Sequence, residues 1–277
     1  MKNTLVKPIL KWVGGKRQIL HEIRPLIPKT YSTYIEPFIG GGAVLFDLQP
    51  KYAVINDLNE ELMNVYEIIK NNPEELIELL KDYEANNSKE YYYNIRALDR
   101  SMSYMSLSKI QRAARTIYLN KTCYNGLFRV NSAGEFNSPY GRYKNPNIVN
   151  EPTIKAISKY FQTNEIAFFN KDYSDIIKNV EKGSFIYFDP PYMPISSSAS
   201  FTGYTRNGFS YERQKELRDI CDELRDKGIK FLVSNSDCLE IRDLYKGYKI
   251  KTIQAKRYVN SNSEKRGEIN ELLICNI

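Results

Sequence analysis

The stretch Tyr31-Ser32-Thr33-Tyr34-Ile35-Glu36-Pro37-Phe38-Ile39-Gly40-Gly41-Gly42, running on into Ala43-Val44-Leu45-Phe46-Asp47-Leu48, decides the fold class. Tyr31 to Glu36 reads as a short strand, and Ala43 to Leu48 as a helix opening after the glycines. Tyr52-Ala53-Val54-Ile55 follows as a buried strand that ends at Asn56-Asp57, and Leu58 to Lys70 as a helix. Strand, glycine loop, helix, strand and acid make one βαβ unit.

From about Pro73 to Lys121 the pattern is helical, with Ile77, Leu80 and Tyr83 in one register and Ile110, Ala113, Ala114, Ile117 and Tyr118 in another. That is too long for a simple crossover. Cys123 to Pro152 is rich in Asn, Gly, Pro, Tyr and Arg without sustained period, and reads as irregular surface. Residues 73–150 are therefore expected to form an inserted unit, with 1–72 and 151–277 making the main domain. The α/β pattern resumes with a helix over Ile154–Phe161, a strand over Glu165–Phe168 leading to Asp172, and a buried strand over Ser184–Phe188. A loop over Met193–Gly208, a helix over Tyr211–Lys227 and a strand over Ile229–Val233 are expected next. Tyr248–Ile253 and Ile269–Ile274 read as closing strands around a polar Asn260-to-Gly267 connection. The whole reads as an open α/β sheet, with functional residues at the carboxyl ends of strands.

Composition narrows the function. Among 277 residues, 40 Lys and Arg stand against 33 Asp and Glu, a formal net charge of +7. The pI near 9.0 weakly favours a polyanionic partner. No run approaches the roughly 20 apolar residues of a membrane span. Met1 to Trp12 lacks a long apolar stretch and a cleavage site, so no signal peptide is expected and the cytoplasm is the default. The only histidine is His21, which argues against a His-based triad and rules out a His-rich metal site. Cys123, Cys221, Cys238 and Cys275 form no CxxC pair and suit neither a disulfide framework nor zinc.

Two acidic positions and two glycine loops point to a ligand. Phe38-Ile39-Gly40-Gly41-Gly42 lacks GxxxxGK[ST] spacing and full GxGxxG, but its glycines permit a tight turn and close approach to backbone N–H groups. Asp57 has two readings: an acceptor for both hydroxyls of a ribose, or a cap for the next helix. Asp172 likewise either accepts from an adenine amine or caps a helix. Trp12-Val13-Gly14-Gly15-Lys16 is either a turn with a solvated lysine or a lid over a cofactor.

The sharpest signal is Asp189-Pro190-Pro191-Tyr192 at the end of an apolar strand. A charge there is costly unless it works or pairs. Pro190 has a fixed φ, and Pro191 pushes it toward an extended conformation, so the Pro190 carbonyl is held beside the Asp189 carboxylate. This rigid acceptor pair suits an exocyclic amine, and Tyr192 can stack on the ring that carries it. The plain alternative is a proline turn with a capping Asp and a core Tyr.

In combination, Glu36-to-Gly42, Asp189-to-Tyr192, Lys11-Trp12-Val13-Gly14-Gly15-Lys16 and the segment Tyr124-to-Pro146 resemble the Dam-type (alpha-class, D12) adenine-N6 DNA methyltransferases, especially their GATC-specific members. The resemblance implies a Rossmann-like sheet that binds S-adenosyl-L-methionine and carries an inserted, mostly helical DNA-recognition domain. It places Trp12, Lys16, Phe38 and Gly40 at the cofactor, Asp57 on its ribose and Asp172 on its adenine amine. It gives Asp189, Pro190 and Tyr192 the catalytic roles above. It makes Tyr124 an aromatic wedge, Asn125 a neighbouring DNA contact, Arg129 a guanine reader and Pro139 a residue that packs on a thymine methyl. Arg142 and Lys144 are expected at phosphates. One departure is Asn137-Ser138-Pro139, where such enzymes often carry Asn-Val-Pro. Expected besides are double-stranded DNA as partner, a monomer, and transfer without metal or protein nucleophile. A solitary enzyme and a restriction–modification partner fit equally. Two alternatives remain open: an amino-methyltransferase on cytosine N4, RNA or protein glutamine, and a non-catalytic DNA-binding module.

Overall fold

In the computed structural model, residues 2–193, 209–256 and 268–277 are described. The expected loop beyond Met193 and the Asn260-to-Gly267 connection lie outside them. Seven strands form one mixed sheet: β1 (Tyr34–Glu36), β2 (Tyr52–Asn56), β3 (Glu165–Phe169), β4 (Phe185–Phe188), β5 (Lys230–Ser236), β6 (Lys249–Lys256) and β7 (Glu268–Cys275). Their order is β3-β2-β1-β4-β5-β7-β6. β1 to β5 are parallel, and β7 runs antiparallel between β5 and β6.

Ten helices accompany the described strands: α1 (Leu20–Ile23), α2 (Ala43–Leu48), α3 (Glu60–Asn71), α4 (Pro73–Ala85), α5 (Lys89–Ala97), α6 (Lys109–Thr122), α7 (Glu151–Thr163), α8 (Tyr173–Ile177), α9 (Tyr211–Asp226) and α10 (Leu239–Leu244). Asn59 caps α3, and Ser108 with Gln111 forms a capping box on α6.

β4 is buried throughout because both faces are covered. Phe185 and Tyr187 join the core shared with α2, α3 and α7, whereas Ile186 and Phe188 face α9 through Leu217, Cys221 and Leu224. The first core continues outward through Leu76, Leu80, Tyr92, Ala113 and Ile117, which seats α4, α5 and α6 on α3 and α7.

β1 is shorter than its apolar run. Ser32 and Thr33 already exchange backbone bonds with Gly183 and Phe185, but regular pairing with β2 begins at Tyr34. β5 is longer than expected: Ser234, Asn235 and Ser236 pair with Leu273, Leu272 and Glu271, so ladder bonding carries the strand past its apolar residues.

Candidate active site

The sheet order turns outward on either side of the β1–β4 pair, so the loops after these two parallel strands leave side by side. Such a switch point is where open α/β sheets bind ligands. The loop after β1 carries Phe38 and Gly40. The loop after β4 carries Asp189 to Tyr192, and Asp57 follows β2.

The glycine loop is shaped by close packing. Gly40 has φ +47°, and a Cβ there would lie 2.9 Å from Trp12 Cδ1. Its carbonyl accepts from Tyr66 Oη at 2.7 Å, and its N–H donates to Asp57 Oδ2 at 3.0 Å. Asp57 Oδ1 accepts from the Asn59 N–H at 2.9 Å. Asp57 therefore supports the helix start, but Asn59 supplies the cap. Burial lifts the Asp57 carboxyl to about 6, against the backbone N–H groups that favour its charge. Phe38 packs on Tyr173, with ring centroids 5.0 Å apart, and edge-on to Phe209.

Lys16 is buried, which excludes a solvated lysine. Its Nζ lies 2.8 Å from Asp189 Oδ1, donates to the Gly14 carbonyl, and sits 4.7 Å from the centre of the Tyr192 ring. Trp12 stacks on Phe128 at 4.9 Å. The N-terminal loop thus touches the glycine loop, the Asp189 loop and the segment after α6.

Burial raises the Asp189 carboxyl to about 6; the Lys16 ammonium pulls it down and Glu271 pushes it up. Tyr192 Oη donates to Glu271 Oε2 at 2.9 Å. The backbone that follows is pinned from β5: the Met193 N–H donates to Asn235 Oδ1 at 3.3 Å, and Ser236 Oγ donates to the Met193 carbonyl at 2.8 Å. Gln214 Nε2 donates to the Pro191 carbonyl at 3.1 Å, and Asn235 Nδ2 donates to Gln214 Oε1 at 2.9 Å.

Asp172 caps α8. Its Oδ1 accepts from the Ser174 N–H and Oγ, and its Oδ2 lies 2.5 Å from an Arg213 amino group. Burial would raise its carboxyl, but Arg213 and Ser174 hold it below the ordinary range.

The irregular segment after α6 is tied down at several points. Asn120 Oδ1 accepts from the Lys11 N–H at 2.9 Å, while its Nδ2 donates to the carbonyls of Lys11 and Gly126 at 2.8 and 3.1 Å. Tyr124 is exposed, and its N–H donates to the Pro139 carbonyl at 2.8 Å. Asn125 and Arg142 both have positive φ, at +58° and +54°. Asn125, Pro139, Arg142 and Lys144 are exposed. Arg129 is half-buried, with Nε donating to Asn137 Oδ1 at 2.5 Å and an amino group donating to the Asn137 carbonyl at 3.2 Å. Ser138 is buried, its Oγ bonded to the Leu127 carbonyl. The serine that departs from the apolar pattern thus has an internal partner.

A profile for the D12 class N6 adenine-specific DNA methyltransferases matches residues 12–259. The chain belongs to this family. It is 47% identical to the type II methyltransferase M1.LlaDCHI of Lactococcus lactis subsp. cremoris, over 98% of this chain and 95% of the relative. Identity to the type II methyltransferase M.MjaIII of Methanocaldococcus jannaschii is 43%, over 98% and 99%. The DNA adenine methylase of Escherichia coli K12 is 33% identical, over 96% and 94%. This D12 methyltransferase is an adenine-specific DNA-modifying enzyme that uses S-adenosyl-L-methionine.

Among the described residues no cluster of His, Cys, Asp and Glu is arranged to hold a metal ion, and no helix is long and apolar enough to cross a membrane. Several polar groups around these loops gave no motif of their own. Asn56 ties the loops after β1 and β3 by donating to the Pro37 and Lys171 carbonyls and accepting from the Lys171 N–H. Gln214, Asn235 and Glu271 brace the Asp189 loop from distant parts of the chain.

Proposed function

We propose that the protein methylates adenine N6 in GATC within duplex DNA, with the target base extruded and the methyl group transferred directly in line. The observation that carries this reading is Asp189 and Tyr192 joined by Lys16 in the loop after β4, at the β1–β4 switch point, where the two prolines are expected to set the Pro190 carbonyl beside the carboxylate. Adenine N6 is a poor nucleophile because its lone pair is delocalised into the ring. Two acceptors that take its two hydrogens favour a pyramidal amine with the lone pair free. Tyr192 offers a stacking face to the extruded base. Positioning and electrostatics then carry the rate.

The residues present suit the cofactor. Asp57 is a half-buried carboxylate whose bonds come from backbone N–H groups, and a diol is a fitting partner for its remaining lone pairs. Bound S-adenosyl-L-methionine would supply a methyl group activated by a sulfonium, with a neutral thioether as the leaving group. We read Phe38 and Gly40 as its contacts on the glycine loop, Trp12 and Lys16 as the cover, and Asp172 as a partner for its adenine amine. Accepting that amine requires Asp172 to keep a lone pair free beside Ser174 and Arg213.

We read the sheet with its parallel 3-2-1-4-5 core as Rossmann-like, and residues 73–150 as the target-recognition unit. Tyr124 and Asn125 stand exposed at the start of its loop, as a wedge and its neighbour would. Arg129 reads a guanine, with Asn137 fixing the guanidinium beforehand, and Pro139 meets a thymine methyl. Exposed Arg142 and Lys144 hold phosphates, which position the duplex without choosing sequence. We read the working unit as a monomer.

The test is Asp189→Ala. Single-turnover transfer at saturating cofactor and DNA is expected to fall by roughly 10²-fold or more, the scale for losing a preorganised polar contact to the reacting group. DNA affinity should be nearly kept. Turnover close to that of the intact protein would remove Asp189 from the chemistry.

A further inference from the structure

We propose that Glu271 is a positioning residue that fixes the Tyr192 ring for the incoming adenine by accepting a hydrogen bond from its hydroxyl. This rests on the stacking role given to Tyr192 above. The bond is 2.9 Å long and joins groups 79 positions apart. Glu271 stands on β7 directly opposite Ser236 of β5. Ser236 and Asn235 bind the Met193 backbone, so the β5–β7 pair restrains both the chain next to Tyr192 and the far end of its side chain. A tyrosine anchored at both ends has little freedom to turn.

The orientation it is held in is the useful one. Lys16 Nζ lies over one face of the ring, 4.7 Å from its centre, and 2.8 Å from Asp189 Oδ1, so one ammonium meets both the ring face and the carboxylate. A base that takes the ammonium's place on that face lies next to the Asp189 carboxylate. Glu271 has an electrostatic cost, because a second carboxylate near Asp189 favours protonation there. The bond to Tyr192 gives that costly placement a function.

The experiment uses the full-length protein, S-adenosyl-L-homocysteine and a duplex with 2-aminopurine in place of the target adenine. Stacking on an aromatic ring quenches the extruded fluorophore. The intact protein should give a quenched complex. Tyr192→Phe and Glu271→Leu should each brighten it, and each should lower kcat/KM on the adenine substrate by about 10-fold, the scale of one charge-assisted hydrogen bond. Glu271→Gln keeps an acceptor oxygen and should restore most of both signals. The double variant Tyr192→Phe/Glu271→Leu should be no worse than either single one. Multiplied single effects, or Glu271→Gln as damaging as Glu271→Leu, overturn the assignment of Glu271 alone. An unchanged quenched signal from Tyr192→Ala overturns the stacking reading itself, and is told apart by that variant.

Discussion

In the proposed mechanism the Asp189 carboxylate must be ionised to accept from the amine, and its neighbours set where that happens. Burial lifts it to about 6, so methylation at saturating cofactor should fall as the pH drops through that region. Lys16 opposes the shift. Lys16→Met removes the ammonium and leaves the burial, so the acid limb should move to higher pH. The pH dependence of single-turnover rate checks this, and a limb that stays in place or moves down contradicts it. The Asp189–Tyr192 loop stood out in the sequence because a charge at the end of an apolar strand is costly unless it works or pairs, and here it pairs with Lys16. Its supports did not stand out. Glu271 lies 79 positions from Tyr192 and Asn235 lies 42 from Met193, and no local pattern marks a partner so far away. The pairing of Asp172 with Arg213, 41 positions on, was hidden for the same reason.

At the scale of elements, the N-terminal loop and the segment after α6 behave as one layer. The Trp12–Phe128 stack and the Asn120 bonds to Lys11 join them, and Trp12 also backs the tight turn at Gly40. Phe128→Ala should therefore loosen the N-terminal loop and the segment after α6 together, which the proposed reading places at the cofactor and at the target sequence. An aromatic pair contributes roughly 0.5–1.5 kcal/mol beyond its area, so cofactor affinity should weaken about 2- to 10-fold. Discrimination against single-base variants of the target should weaken in the same protein. Calorimetry for the cofactor and rate ratios for the variants measure the two effects; an unchanged cofactor affinity in a folded variant contradicts the coupling. The strands were legible wherever apolar runs ended in glycine, proline or acid. Ser234-Asn235-Ser236 escaped because polar residues at a strand end look like a loop, and pairing with β7 decides otherwise. The first three residues of the Tyr31–Glu36 run failed to join β1 because the partner ladder starts at Ala53, opposite Tyr34.

For the whole molecule, the βαβ opening and the later strand–acid junctions made an α/β sheet readable, but not its order. The placement of β7 between β5 and β6 depends on the two final strands forming an antiparallel pair and on which of them meets β5. The packing of α4 to α6 on α3 and α7 was equally silent, because helical periodicity shows which face is buried and not against what. The loops brought together by that arrangement make a definite claim about the mark left on DNA. The most direct measurement is single-base mapping of methylated bases in plasmid DNA treated with the purified protein and S-adenosyl-L-methionine. The account predicts N6-methyladenine at the adenines of GATC and almost none elsewhere. N6-methyladenine confined to a different sequence would contradict the target reading, and methyl groups on cytosine N4 would contradict the chemistry.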